Sequence, residues 1–258
     1  MKKGSLVIVG SGIKSVAHVT LETKAHIEQS DQVFYVVGNP VISEWIKKLN
    51  SNTKSLYELY AVGKERLDTY DEMVEIMLVS VREGLKVCGI FYGHPGVFVN
   101  PSHRAIEQAR KEGYETCMLP GVSAEDCLFA DIGVDPAKYG CQSFEATDFL
   151  VYERKFDHRS SLILWQIGVI GDSTYQKNYD YLAGLSVLVE KLTEVYGADH
   201  EVIIYEAAEF PILEPVINRV PLHKLLESRV TPISTLYVPP GGPSVANPEM
   251  LIYLGIKH

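Results

Sequence analysis

Lys86–Phe98 reads KVCGIFYGHPGVF. Its first half, Lys86–Tyr92, is a nearly unbroken apolar run, the pattern of a strand covered on both faces. The run opens into Gly93-His94-Pro95-Gly96, and Pro101 then stands where a helix begins, carried through Ala105 and Ala109 to Gly113. Strand, turn and helix in that order are the unit of an α/β sheet. Such sheets bind ligands beyond the carboxyl ends of their strands. Gly93 and Gly96 would let backbone approach a ligand closely. The segment is a candidate ligand loop, with a plain turn as the alternative.

Outward from it the rhythm repeats. Leu6–Val9 runs into Gly10-Ser11-Gly12 and an amphipathic stretch from Ser15 to Gln29. Ser15 occupies the third glycine position of a dinucleotide fingerprint, and Val33–Val37 leads into Gly38-Asn39-Pro40 without the acidic residue that grips a ribose. A nicotinamide-dependent oxidoreductase is disfavoured on both counts. A helix is expected over Val41–Leu49, and a fourth strand over Glu115–Leu119. Pro120-Gly121 follows, and Val122-Ser123-Ala124 opens a helix whose first amides could hold a carboxylate. A domain boundary placed there divides the chain into 1–119 and 120–258. The second part has strand patterns at Gln142–Phe144, Ser161–Ile167, Val202–Tyr205, Thr235–Val238 and Met250–Leu254, with a long helix over Thr174–Tyr196.

The 258 residues suffice for one large or two smaller domains, and 46% are hydrophobic. A formal net charge of −9 argues against nonspecific binding to nucleic acid or anionic membrane. The apolar run after Lys2-Lys3 ends at Gly10, too short for a signal peptide, and no stretch could span a bilayer. Cys88, Cys117, Cys127 and Cys141 form no CxxC pair, so reduced, mostly buried thiols in a cytoplasmic protein are expected. The histidines show neither HxxxH nor HExxH spacing, and no metal is expected.

The chemistry is sought in Leu56–Tyr70, LYELYAVGKERLDTY. Tyr57 and Tyr60 share one helical face, as do Arg66 and Tyr70, while the step between the pairs breaks at Gly63. A helical turn, a break and a long helix through Ser80 are expected. A fixed guanidinium beside several phenols can favour phenolate, or aim several donors at one developing oxyanion. An aromatic face packed into a core is the alternative.

Taken together, Val-Gly-x-Gly near the start, Tyr92-Gly-x-Pro-Gly-Val-Phe98, Pro120-Gly-Val-Ser-Ala124 and Thr235-Leu-Tyr-Val-Pro-Pro240 resemble the tetrapyrrole-methylase-like methyltransferases over nearly the whole chain. Several stretches resemble one branch, the borosin peptide backbone α-N-methyltransferases. They are Ser11-Gly12-Ile13 with His18–Leu21, the Tyr57–Tyr60–Arg66–Tyr70 spacing, His94 in Gly-His-Pro-Gly-Val-Phe, Asp126–Asp131, and Leu164-Trp-Gln-Ile-Gly168. The resemblance implies two α/β domains of the class III methyltransferase fold, with S-adenosylmethionine in the cleft between them and S-adenosylhomocysteine as product. It implies a homodimer, or a heterotetramer with two precursors. It also implies methylation of backbone amide nitrogens in a ribosomally made peptide.

Carried over by that resemblance, Tyr60, Arg66 and Tyr70 are catalytic and Tyr57 supports them. Tyr92, His94, Val97 and Phe98 form the cofactor loop. Ser123, Ala124, Gln166, Ala207, Ser234 and Thr235 complete the cofactor contacts. An amide nitrogen is a poor nucleophile because its lone pair is delocalised. Tyr70 is the expected proton acceptor, with Arg66 lowering its pKa, and Tyr60 the donor to the amide oxygen. No hydrophobic core peptide follows the last strand-like segment, so the expected substrate is a separate precursor docked through a leader. The alternatives are a tetrapyrrole or other small-molecule methyltransferase on the same fold, and a non-catalytic precursor-binding subunit.

Overall fold

The computed structural model describes residues 3–152, 154–176 and 179–256. They form two compact units. One holds the chain to Ile132 together with Asp172–Tyr179 and Ala207–Val216; the other holds Gly133–Gly171, Asp180–Glu206 and the chain from Ile217.

The first unit runs β1 (Ser5–Gly10), α1 (Leu21–Gln29), β2 (Gln32–Val36), α2 (Pro40–Leu49), β3 (Thr53–Ser55), α3 (Arg66–Arg82), β4 (Lys86–Phe91), α4 (Asn100–Lys111), β5 (Glu115–Met118) and α5 (Ala124–Ile132). Its sheet is wholly parallel, in the order β3-β2-β4-β1-β5, with Val7 opposite Cys88 and Cys117. Strand alternation splits the core into two layers. Leu6, Ile8 and Phe34 pack with Met73, Met77, Val81 and Ala105 of α3 and α4. Val9, Val33 and Cys88 pack on the other face with Ile27, Ile42 and Ile46 of α1 and α2. Side-chain caps fix two of these helix starts: Thr20 accepts from the Thr23 amide at 3.0 Å, and Asn39, ahead of Pro40, accepts from Val41 at 2.8 Å.

β1 and β4 are neighbours, yet the chain leaves them toward opposite edges, β1 to β2 and β4 to β5. Their carboxyl ends therefore form the crevice where such sheets bind ligands. The backbone there is close-packed. A Cβ on Gly10 would lie 2.2 Å from the Gly93 carbonyl oxygen, and one on Gly121 would lie 2.8 Å from the same atom.

The second unit runs β6 (Cys141–Glu145), α6 (Ala146–Val151), β7 (Ser161–Trp165), α7 (Leu182–Tyr196), β8 (Glu201–Glu206), β9 (Val216–Pro221), β10 (Thr235–Val238) and α8 (Pro248–Leu254). Its sheet order is β6-β7-β10-β8-β9, with β6 and β7 parallel and β10 antiparallel to β7 and β8. Phe149, Leu164, Leu188, Ile204 and Leu236 sit in its core. The α/β class and the two-sheet architecture expected from sequence are both present.

Four expectations need correction. Met250–Leu254 is helix, not strand, because Asn247 caps it and Pro248 fixes its first turn. The helix expected from Thr174 begins at Leu182; Thr174 instead bridges Glu65, and Lys177 and Asn178 lie outside the described residues. The Ser15–Gln29 stretch splits into a 3-10 turn at Ser15–His18 and α1. All four cysteines are free, but only Cys88 and Cys127 are buried, while Cys117 is exposed.

Candidate functional site

The tyrosine cluster forms at the carboxyl edge of the first unit's sheet. The Leu56 amide donates to the Tyr35 carbonyl at 2.9 Å, prolonging the β2–β3 pairing. Tyr57–Leu59 then makes one 3-10 turn, and Tyr60 turns extended. Gly63, at φ +78, adopts a left-handed backbone that side chains disfavour. Glu65 is extended and bridges Thr174, so α3 can start only at Arg66, which puts Arg66 and Tyr70 on its first turns.

The four residues singled out from sequence do come together. The Tyr57 and Tyr60 ring centroids are 5.5 Å apart. Tyr60 lies beside Tyr70, close enough for the two phenols to influence each other, and in the field of Arg66. Burial, first, and then the neighbouring Tyr70 push the Tyr60 phenol well above its ordinary range; Arg66 opposes this and loses. Tyr60 is therefore a proton-bearing donor at neutral pH.

Sequence reasoning missed the other wall of this cluster. Residues 63–66 pair with 173–175: Gly63 N donates to Tyr175 O at 2.9 Å, Tyr175 N to Lys64 O at 3.1 Å, and Arg66 N to Ser173 O at 3.0 Å. Tyr175 packs at a tilt on Tyr60, centroids 5.4 Å apart, and neighbours the Tyr57 phenol. Burial, and then the neighbouring Tyr175 phenol, raise the pKa of the Tyr57 phenol. Arg66 Nε donates to Thr174 O at 2.9 Å, and Nη2 reaches Asp172 Oδ2 at 3.5 Å. The Asp172 side chain is only 3% exposed. Its other oxygen accepts from Thr174 N and Oγ1 at 2.8 and 2.9 Å. The one available signal was Asp-x-Thr, a spacing that makes a local Asp-to-backbone turn and argues against helix.

The cofactor-loop residues Tyr92, His94, Val97 and Phe98 lie in one turn beyond β4. Gly12 and Gly93 exchange backbone hydrogen bonds at 3.2 and 3.1 Å, which ties this loop to the one after β1. His94 Nδ1 accepts from the Gly96 amide at 2.9 Å, so in the neutral ring Nε2 carries the proton. Tyr92 and Phe98 expose their rings, and Phe98 holds φ +54, unusual for an aromatic residue. The loop and the tyrosine cluster adjoin the same backbone: Tyr92 N donates to Val36 O at 3.2 Å, and the Tyr57 ring lies beside Gly38.

Ser123 and Ala124 open α5. The Ser123 amide and hydroxyl both donate to Asp126 Oδ2, at 2.7 and 2.8 Å, and Ser123 Oγ accepts from Asp126 N. That reciprocal cap already supplies a carboxylate to the Ser123 amide. Ala207 is half-buried and follows β8 directly.

In the second unit Gln166, Ser234 and Thr235 assemble at the ends of β7 and β10. Gln166 is exposed between buried Trp165 and Ile167, at φ +61. Ile167 N donates to Ser234 O at 3.1 Å. Ser234 itself is buried, and its hydroxyl donates to Glu206 Oε1 at 2.5 Å, as Thr231 Oγ1 does at 2.6 Å. Glu206, which sequence reasoning passed over, thus braces the Thr231–Ser234 turn. The Ser234 amide donates to Thr231 O at 3.0 Å, so Ser234 shapes this turn with its amide and hydroxyl alike. Among the described residues no His/Cys/Asp/Glu group could hold a metal ion, and no helix is long and apolar enough to cross a membrane.

Comparison with known proteins supplies the family. Residues 5–211 match the family model of the Tetrapyrrole (Corrin/Porphyrin) Methylases. The chain is 50% identical over 243 residues to a methyltransferase/ribosomally synthesized cyclic peptide gymnopeptides precursor of Gymnopus fusipes, covering 92% of this chain and 57% of that protein. It is 47% identical over 264 residues to a methyltransferase/ribosomally synthesized type I borosin cyclic peptide precursor of Coprinopsis marcescibilis, covering 99% and 68%. It thus spans less than two thirds of the Gymnopus relative. Among solved structures, uroporphyrin-III-C-methyltransferase from Thermus thermophilus superposes with a TM-score of 0.64 at 16% identity, over 92% of this chain and 93% of that one. The chain belongs to the tetrapyrrole methylase family and, within it, to the borosin methyltransferases.

Proposed function

We propose that this chain transfers methyl groups from S-adenosylmethionine to backbone amide nitrogens of a ribosomally made peptide. The observation that carries this reading is the cluster of closely packed phenols beside an anchored guanidinium. Small-molecule O- or C-methylation on this fold has no need of several phenols facing one arginine. An amide nitrogen does need them, because its lone pair becomes available only as charge gathers on the carbonyl oxygen and the N–H proton leaves.

The geometry supports these roles. Tyr60 keeps its proton and donates to the amide oxygen. Arg66 spends Nε and one Nη2 bond on Asp172 and Thr174, and its remaining N–H groups are open to the same oxygen. Tyr70, beside Tyr60, accepts the amide proton as its phenolate and becomes a neutral phenol as the N–methyl bond forms. Tyr57 braces Tyr60 by ring contact. S-adenosylmethionine supplies an electrophilic methyl group when bound. The residues present fit such a group: Tyr92 exposes its aromatic ring, His94 offers an Nε2 donor, and Gly93 and Gly96 leave loop backbone uncovered. Ser123, Ala124, Gln166, Ala207, Ser234 and Thr235 are the further residues proposed to hold it. The relatives named as methyltransferase/cyclic peptide precursors support a peptide as the acceptor.

The test is direct. The purified chain is incubated with S-adenosylmethionine and a separate Val/Ile/Gly-rich peptide carrying an N-terminal recognition segment. Tandem mass spectrometry should place successive single methyl additions on backbone nitrogens. Methyl groups only on side chains, or none on the peptide while S-adenosylhomocysteine binds normally, would overturn the assignment. Supplying the peptide as its own molecule tests delivery in trans in the same tube.

A further inference from the structure

We propose that Asp172 is a positioning residue. Held inside the fold by Thr174, it fixes the plane of the Arg66 guanidinium and tempers its charge, so that the fork presents immobile N–H groups to the substrate's amide oxygen. This rests on the amide-methylation reading above, and it concerns a residue far outside the tyrosine stretch.

The argument starts from cost. A carboxylate only 3% exposed is expensive unless paired and hydrogen-bonded. Asp172 is both: Oδ1 takes the Thr174 amide and hydroxyl, and Oδ2 faces Arg66 Nη2. Arg66 is in turn held at Nε by the Thr174 carbonyl, so the same short turn grips the guanidinium at two points. With Nε bonded and Nη2 facing the carboxylate, rotation of the planar group is restrained, and the direction of its other donors is set before substrate arrives. Fixed donors stabilise a developing oxyanion without reorganising during the reaction. The charge balance follows from the same contacts. Arg66 pulls the Tyr60 phenol toward phenolate; the Asp172 carboxylate facing Nη2 offsets part of that cation's charge.

Asp172→Asn is the decisive variant. Its amide oxygen can still accept from Thr174, but the charge facing Arg66 is gone. We expect KM and S-adenosylhomocysteine affinity to stay within about twofold while kcat drops roughly a hundredfold, the scale of a misplaced catalytic group. The alkaline-rising limb of the pH–rate profile should move to lower pH. A structural role alone would not shift that limb. A second readout needs no turnover: the phenolate absorbance assigned to Tyr60, by difference against Tyr60→Phe, should appear at lower pH in Asp172→Asn. Unchanged kcat and an unchanged phenolate onset would overturn the proposal. Should Asp172→Asn fail to fold, Asp172→Glu takes its place. The charge on a longer arm should keep the wild-type phenolate onset but lose kcat; wild-type kcat there would overturn the positioning role. If wild type methylates no peptide, the amide-methylation reading fails, and the phenolate titration still decides whether Asp172 governs Arg66.

Discussion

Gly10→Ala tests the close approach of backbones beneath the ligand loop. Gly10 needs no positive φ, so the cost is purely steric. The new Cβ would meet Gly93 O at 2.2 Å, Pro95 Cδ at 2.9 Å and the Gly121 Cα at 3.2 Å. Two of these are main chain and the third is a proline ring, so no side chain can rotate away. The Gly93 carbonyl would have to retreat by about 0.8 Å to reach even the 3.0 Å floor of real Cβ contacts. It is pinned by the Gly12 amide at 3.2 Å. Overpacking typically costs about 1–3 kcal/mol, and an immobile obstacle on two sides puts this case near 3 kcal/mol. For a chain of this size that is a fall of roughly 6–12 °C in Tm. Because the displaced carbonyl belongs to the loop of Tyr92–Phe98, S-adenosylhomocysteine affinity should fall about tenfold or more in calorimetry. Gly242→Ala, whose Cβ would meet nothing within 4 Å, is the control and should stay within about 0.5 kcal/mol of wild type. A Gly10→Ala protein that melts with this control and binds the cofactor product equally well would refute the reasoning.

Tyr70→Phe and Arg66→Ala should each lower methyl transfer by about two orders of magnitude or more while S-adenosylhomocysteine binding in calorimetry stays near wild type; wild-type turnover in Tyr70→Phe would remove that phenol from the mechanism. Stability should decline at alkaline pH. Burial pushes the Cys88 thiol up from its ordinary value of 9.0 to about 12, so above pH 9 the unfolded chain loses a proton that the folded one keeps. The contribution present below pH 9 is lost progressively up to pH 12, about 3 kcal/mol by pH 11 on an order-of-magnitude basis. Urea titrations at pH 8 and pH 11 measure it. Cys88→Ala should flatten much of the slope, and an unchanged slope in that variant would show that another group governs it.

What could be read from the sequence divides by range. Strands such as Lys86–Phe91 and turns such as Gly93–Gly96 announce themselves because burial and backbone geometry act within a few residues. The tyrosine stretch was legible for the same reason, its break at Gly63 included. β3 was missed because three residues leave no period to detect, and it exists only through its pairing with β2. Met250–Leu254 was misread because five apolar residues suit strand or helix equally; the deciding signal, Asn247-Pro248, stood just outside the run. Asp172, Thr174 and Tyr175 were invisible as site residues. Their role comes from pairing with a partner segment more than a hundred positions away, and no local rule carries that information.

That same separation orders events during synthesis. Arg66 and Asp172 are 106 residues apart, whereas every strand of the first sheet has been made by Met118. The parallel sheet can close early, but its tyrosine cluster must wait while residues 133–171 emerge. At about 5–20 residues per second the ribosome imposes a delay of seconds. Closing so long a loop adds only a small entropic cost, because that cost grows with the logarithm of length. The protein can therefore have a folded sheet and an incomplete tyrosine cluster at once, and the cluster gains its second wall only when the returning segment docks.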